Sequence, residues 1–194
     1  TKVGPALSDM KLEAIKHSDI GRYAPGSYED KDYPDYQPFD NERIPALREF
    51  LDYHKKCNAT SELWVELKSS PYQRDISSAP LDLLEAVLND LVNADLIDNT
   101  MLLAFEWDLL VSAKELQPNI RTDFLTINPE YIAASIRKYG EVDTDRLFGS
   151  FKPKDYGDSL PHTIAAAGGD GWGPLVSDVN GEDVKRAHEV GLEV

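Results

Sequence analysis

The strongest constraint on the fold is an alternation of strand-like and helical runs between residues 62 and 126. The run Glu62-Leu63-Trp64-Val65-Glu66-Leu67-Lys68 alternates polar or aromatic with aliphatic side chains. Side chains two apart on a strand share a face. Glu62, Trp64, Glu66 and Lys68 therefore fall on one side, and Leu63, Val65 and Leu67 on the other. From Pro80 the period changes: Leu84, Val87, Leu88, Leu91 and Val92 mark one face of a helix. A second strand is expected over 100–106. A helix over 107–116 follows, through Leu109, Leu110, Ala113 and Leu116, stopped by Pro118. Ile-Arg-Thr-Asp-Phe-Leu-Thr over 120–126 is a third strand. Helical segments of this length between strands are crossover connections, so the pattern predicts an α/β fold with a parallel sheet.

The flanks are less regular. Residues 9–17 predict a short helix with Leu12 and Ile15 apolar. Residues 21–43 are rich in Gly, Pro, Tyr and Asp, the composition of a long surface loop. Its tyrosines suit either a binding lid or simple anchors of the loop. A helix is expected from Ile44, with Pro45 near its start and Leu47, Phe50, Leu51 and Tyr53 on one face. After the third strand, Pro129 to Lys138 is helical, with Ile132 and Ile136 in phase. Residues 140–169 read as an inserted loop, and Trp172 to Val176 as a short strand. Asn180 followed by Asp183 resembles a capping box, and Gly191 ends that helix. The last residues, Gly191-Leu192-Glu193-Val194, read as a cap and the start of another strand. The expectation is one domain over 1–194, with part of it lying beyond both ends.

The chain has 194 residues and a formal charge of −15. That charge argues against nucleic acid as a partner, because phosphate backbones need a basic surface. No apolar run approaches the length of a membrane span. Cys57 is the single cysteine, which excludes an intramolecular disulfide. Compartment and oligomeric state stay open.

Chemistry concentrates at the end of the first strand. Glu66 and Lys68 put a carboxylate and an ammonium side by side, which suits a site for a metal cation and a phosphate. An ion pair without chemistry is the alternative. His17, His54, His162 and His188 show no metal-binding spacing. Neither a Gly-x-Ser-x-Gly elbow nor a Gly-x-Gly-x-x-Gly loop after a strand occurs. Gly168-Gly169-Asp170-Gly171 is only superficially a phosphate cradle. Trp172 fits a substrate wall or the core equally well. Glu106 suits either the site or the start of the helix after it.

Taken in order, these segments resemble a known family. Trp64-Val65-Glu66-Leu67-Lys68 resembles the Glu-x-Lys strand of glycerophosphodiester phosphodiesterases. Gly4 to Leu12 and Ile20 to Ser27 are similar to segments that precede that strand in one bacterial branch. Ile44-Pro45-Ala46-Leu47-Arg48-Glu49-Phe50 resembles the Ile-Pro-Thr-Leu-x-Glu helix start. Ala104-Phe105-Glu106-Trp107 resembles the Ser-Phe-Asp-Trp step, with Ala104 in place of the usual serine. Trp172-Gly173-Pro174 resembles the Trp-Ser-Pro strand.

The resemblance implies a (β/α)8 TIM barrel, here incomplete, lacking N-terminal strands and the last strand. It implies hydrolysis of a small-molecule glycerophosphodiester to glycerol 3-phosphate and an alcohol, with Mg²⁺ or Ca²⁺ as cofactor. Glu66 would be a metal ligand and Lys68 a phosphate contact, while Phe105 and Trp172 would line the glycerol pocket. The family's His-Arg-Gly strand, Glu-Asn-Thr segment and His-Asp step have no counterpart in these residues. No catalytic residue is therefore expected in the chain, and the chain alone is expected to be inactive. Two alternatives remain open: a related barrel phosphodiesterase of the phospholipase D or sphingomyelinase type, and a non-catalytic acidic binding domain derived from the barrel.

Overall fold

The computed structural model describes residues 5–69, 74, 78–127 and 145–194. The helix expected at 129–138 and the first part of the loop expected at 140–169 lie outside them. The chain divides into two compact units, Thr1–Asn58 and Ala59–Val194.

The first unit carries α1 (Leu12–His17), α2 (Tyr28–Asp32) and α3 (Leu47–Lys56). The helix expected from Ile44 begins three residues later. Proline disfavours helical geometry in the residue before it, which holds Ile44 out of the helix. Ala46 then takes the cap position, and its N–H donates to the Glu49 carboxylate at 2.8 Å. The segment expected as loop closes at its neck. Asp19 and Arg43 form an isolated antiparallel bridge, and the Ile20 N–H donates to the Glu42 carbonyl at 3.0 Å.

The second unit is built on a parallel sheet in the order β1 (Leu63–Glu66), β2 (Thr100–Ala104), β3 (Arg121–Thr126) and β4 (Gly171–Pro174). The helices α4 (Pro80–Ala94) and α5 (Trp107–Leu116) connect the first three strands. Pro80 stands at the first turn of α4, where its missing N–H costs nothing. Leu84, Leu88, Leu91 and Ala94 are its buried stripe. Val92, expected on that stripe, is exposed, because the stripe continues at Ala94. Asp95 then adopts the left-handed conformation that ends the helix.

Register fixes the two faces of the sheet. Glu66 pairs with Leu103, Leu103 with Asp123, and Asp123 with Gly171. Partners in a parallel register point to the same side, so these residues share one face. The opposite face carries Leu63, Leu67, Leu102, Ala104, Phe124 and Trp172, all buried. This second face packs the helices: Trp107 of α5 meets Phe124 edge-on at 5.2 Å and Phe148 of α6 (Asp145–Phe148) at 4.9 Å. Each large side chain buried here contributes roughly 1.5–3 kcal/mol of transfer free energy.

Part of the stretch expected as an inserted loop is helical. Pro153–Tyr156 is a 3-10 turn, and α7 (Leu160–Ala166) packs against β4. Ser159 caps α7 by accepting the His162 N–H. Beyond β4, α8 (Gly181–Glu189) starts with the expected capping box of Asn180 and Asp183. Gly191 has φ +84°, and Leu192 is buried. The Trp172 N–H then donates to the Glu193 carbonyl at 2.9 Å, and the Glu193 N–H to the Asp170 carbonyl at 3.0 Å. Glu193 is thus aligned in parallel beside β4, as the expected start of another strand.

Candidate functional site

Glu66 is the last residue of β1, and Lys68 lies two residues beyond. The Lys68 Nζ–H donates to Glu66 Oε2 at 2.7 Å. The Glu66 side chain is 32% exposed and that of Lys68 79%. An ion pair this accessible is worth little as a stabilising contact, roughly 0–1 kcal/mol.

Phe105 directly follows the end of β2 and is half-buried. These three residues are thereby brought to one end of the sheet. Trp172 sits on the helix-bearing face, in register with Phe124, and is 3% exposed. Its Nε1–H donates to Thr126 Oγ1 at 2.8 Å. Its accessible edge faces a cavity of about 120 Å³ that also touches Ser159, Asp183 and Arg186.

Glu106 takes neither expected role alone. It occupies the N-cap position of α5, yet its side chain caps nothing. Its buried carboxylate accepts from Ser69 Oγ at 2.7 Å and from both terminal nitrogens of Arg74, with Arg74 Nη1 at 2.9 Å. This fork ties the chain just beyond Lys68 to the end of β2. Each such charge-assisted bond is stronger than a neutral one.

Deeper on the Glu66 face lies a second polar set. Arg121 of β3 pairs with Glu62 and, at 2.7 Å, with Glu193. Asp123, one row above Arg121, is 4% exposed, and among the described residues no hydrogen bond reaches its carboxylate. Burial, reinforced by the nearby Glu193 carboxylate, pushes its pKa up to about 6. The carboxylate leans over β4, where Gly171 and Gly173 carry no side chain. A Cβ at either would stand 2.6 Å from a carboxylate oxygen. Arg121 and Asp123 stand two apart in Ile-Arg-Thr-Asp-Phe-Leu-Thr, the same spacing that places Glu66 and Lys68 on one face.

The described residues do not by themselves fit a divalent cation. No group of three or more His, Cys, Asp or Glu side chains converges among them. Glu66 offers one carboxylate, already paired with Lys68, whereas Mg²⁺ and Ca²⁺ require several oxygen ligands. His17, His54, His162 and His188 lie on α1, α3, α7 and α8, none at a strand end. No helix among the described residues is long and apolar enough to cross a membrane.

No family model matches the sequence, and no curated protein matches it. Solved structures do. The chain is similar to a candidate glycerophosphoryl diester phosphodiesterase from Silicibacter pomeroyi, with 25% identity and a TM-score of 0.76 over 99% of this chain and 58% of that one. It shares its fold with a candidate glycerophosphodiester phosphodiesterase from Galdieria sulphuraria, at 20% identity and TM-score 0.61, over 95% of this chain and 55% of the other. A third structure, a candidate glycerophosphoryl diester phosphodiesterase from Agrobacterium tumefaciens, gives 18% identity and TM-score 0.54, over 99% and 60%. The chain thus spans a little more than half the length of each. Its sheet and helices form part of a (β/α)8 barrel.

Proposed function

We propose that this chain, which shares the barrel of the glycerophosphodiester phosphodiesterases, carries part of an active site that hydrolyses glycerophosphodiesters to glycerol 3-phosphate and an alcohol. The observation that carries this reading is the pairing of Glu66 and Lys68 at 2.7 Å at the C-terminal end of β1. Barrels of this class keep their chemistry at that end of the strands. Lys68 would turn its ammonium from Glu66 to a phosphoryl oxygen, and Phe105 would lie against the carbons of the glycerol. Trp172, on the opposite face, has no part in this reading. The divalent cation implied by the resemblance needs more ligands than Glu66, so no step is assigned to it.

Acid–base hydrolysis needs groups that exchange protons near neutral pH. No histidine stands at the strand ends, so the 194-residue chain alone is expected to be inactive. The test is an assay with glycerophosphocholine and Mg²⁺ or Ca²⁺, run on this chain and on a longer chain carrying a His-Arg-Gly strand. The longer chain should turn over, and Glu66→Gln or Lys68→Met in it should lose at least about 100-fold, on the scale of one removed electrostatic contact. Full activity of both variants would sink the reading, and turnover by the 194 residues alone would overturn the expected inactivity.

A further inference from the structure

The segment between Asp19 and Arg43 forms a closed loop with a cavity of its own. Its neck is tied by the Ile20–Glu42 bond, by the Asn41 N–H donating to Asp19 Oδ2 at 2.7 Å, and by the Phe39 N–H donating to the Gly21 carbonyl at 3.0 Å. The Tyr36 hydroxyl donates to the same carbonyl at 2.9 Å. Compact loops with tied ends are frequently functional. Inside lies a cavity of about 340 Å³, lined by Arg22, Tyr23, Asp30, Tyr33 and Tyr36 with prolines between them. That volume is at the lower end of small-molecule sites.

Anchoring accounts for only part of this set: the Tyr36 hydroxyl ties the neck, but Tyr36 is 37% exposed and Tyr33 59%. The rings also hold one another. Tyr23 lies 4.3 Å from Tyr36 and 6.3 Å from Tyr33, centroid to centroid, each pair tilted by under 40°. All three rings line the cavity. An aromatic face is negative and attracts cations.

The charges around the cavity point the same way. The Arg22 Nε–H is bound to Asp40, so that pair brings no net charge. Asp30 accepts the Gly26 N–H at 2.7 Å and has no basic partner among the described residues. Residues 22–40 hold five acidic side chains against two basic ones.

We infer that this cavity binds a small organic cation of the quaternary ammonium type, held by the faces of Tyr23, Tyr33 and Tyr36 and by the carboxylate of Asp30. The inference stands on the first unit alone and is independent of the reading of Glu66 and Lys68.

The experiment titrates the 194-residue chain with tetramethylammonium chloride and with choline chloride, followed by the aromatic resonances of the three tyrosines. Two controls run beside them: 3,3-dimethylbutanol, the neutral isostere of choline, and sodium chloride at equal ionic strength. The cations should shift all three tyrosines saturably, and the controls should not. Tyr33→Phe should keep binding, whereas Tyr33→Leu and Asp30→Asn should each weaken it about two- to fivefold. Equal binding of the neutral isostere would make the site a general apolar one and overturn the inference. So would the absence of any tyrosine shift, or unchanged affinity in both weakening variants of confirmed fold.

Discussion

The carboxylate of Asp123 lies directly over Gly171 on the neighbouring strand, so that a Cβ at Gly171 would stand 2.6 Å from Asp123 Oδ1. Glycine at a strand interior usually weakens the strand, and marks a place where another group comes close. Here that group is a buried acid.

Gly171→Ala should therefore destabilise the chain by about 1–3 kcal/mol, the usual cost of forcing a methyl group into occupied space. Urea denaturation measures it. In the double variant Asp123→Ala with Gly171→Ala the clash is gone, so Gly171→Ala should cost clearly less there than in the wild-type background.

The pKa of Asp123 raised to about 6 sets a pH dependence. Below the unfolded value of 3.8 the group is protonated in both states and costs nothing. As pH rises from there through about 6, the unfolded chain ionises first and the folded chain loses stability. Relative to Asp123→Asn, the wild type should lose about 2–3 kcal/mol between pH 4 and pH 7. Urea midpoints of both proteins at the two pH values test this; a constant difference would contradict it.

Arg74→Ala should leave the buried Glu106 carboxylate with Ser69 alone. The expected loss is about 1–3 kcal/mol. Because the carboxylate is shielded, added salt should change that loss little. A double-mutant cycle with Glu106→Ala, followed by thermal unfolding, should give a coupling of about 0.5–3 kcal/mol.

Much of the second unit was legible because its residues obey one period at a time. Leu63 and Leu67 turn inward as alternation requires, and Asn180 with Asp183 announces α8. Where periodicity is weak, sequence reading lost its hold. The helix α7 has Pro161 in its first turn and a single large aliphatic residue, Ile164, buried inside it, too little to show a 3.6-residue repeat. The position of Trp172 depends on register with Phe124, which no local pattern supplies. At the candidate site the local pair Glu66 and Lys68 could be read, since two residues suffice to define a face. The fork of Arg74 on Glu106 joins residues 32 apart in sequence, and only the folded chain brings them together.

The strands stand side by side in the order in which they are made: β1, β2, β3, β4, then Glu193. During synthesis β2, β3 and β4 each therefore meet an edge already formed. The connection from Thr126 to Gly171 is more than twice as long as that from Ala104 to Arg121. Closing a loop twice as long costs only about 0.6 kcal/mol more. The order of the strands in the sheet thus follows the order of the chain, and the long connection before β4 adds little to the entropy of closing it.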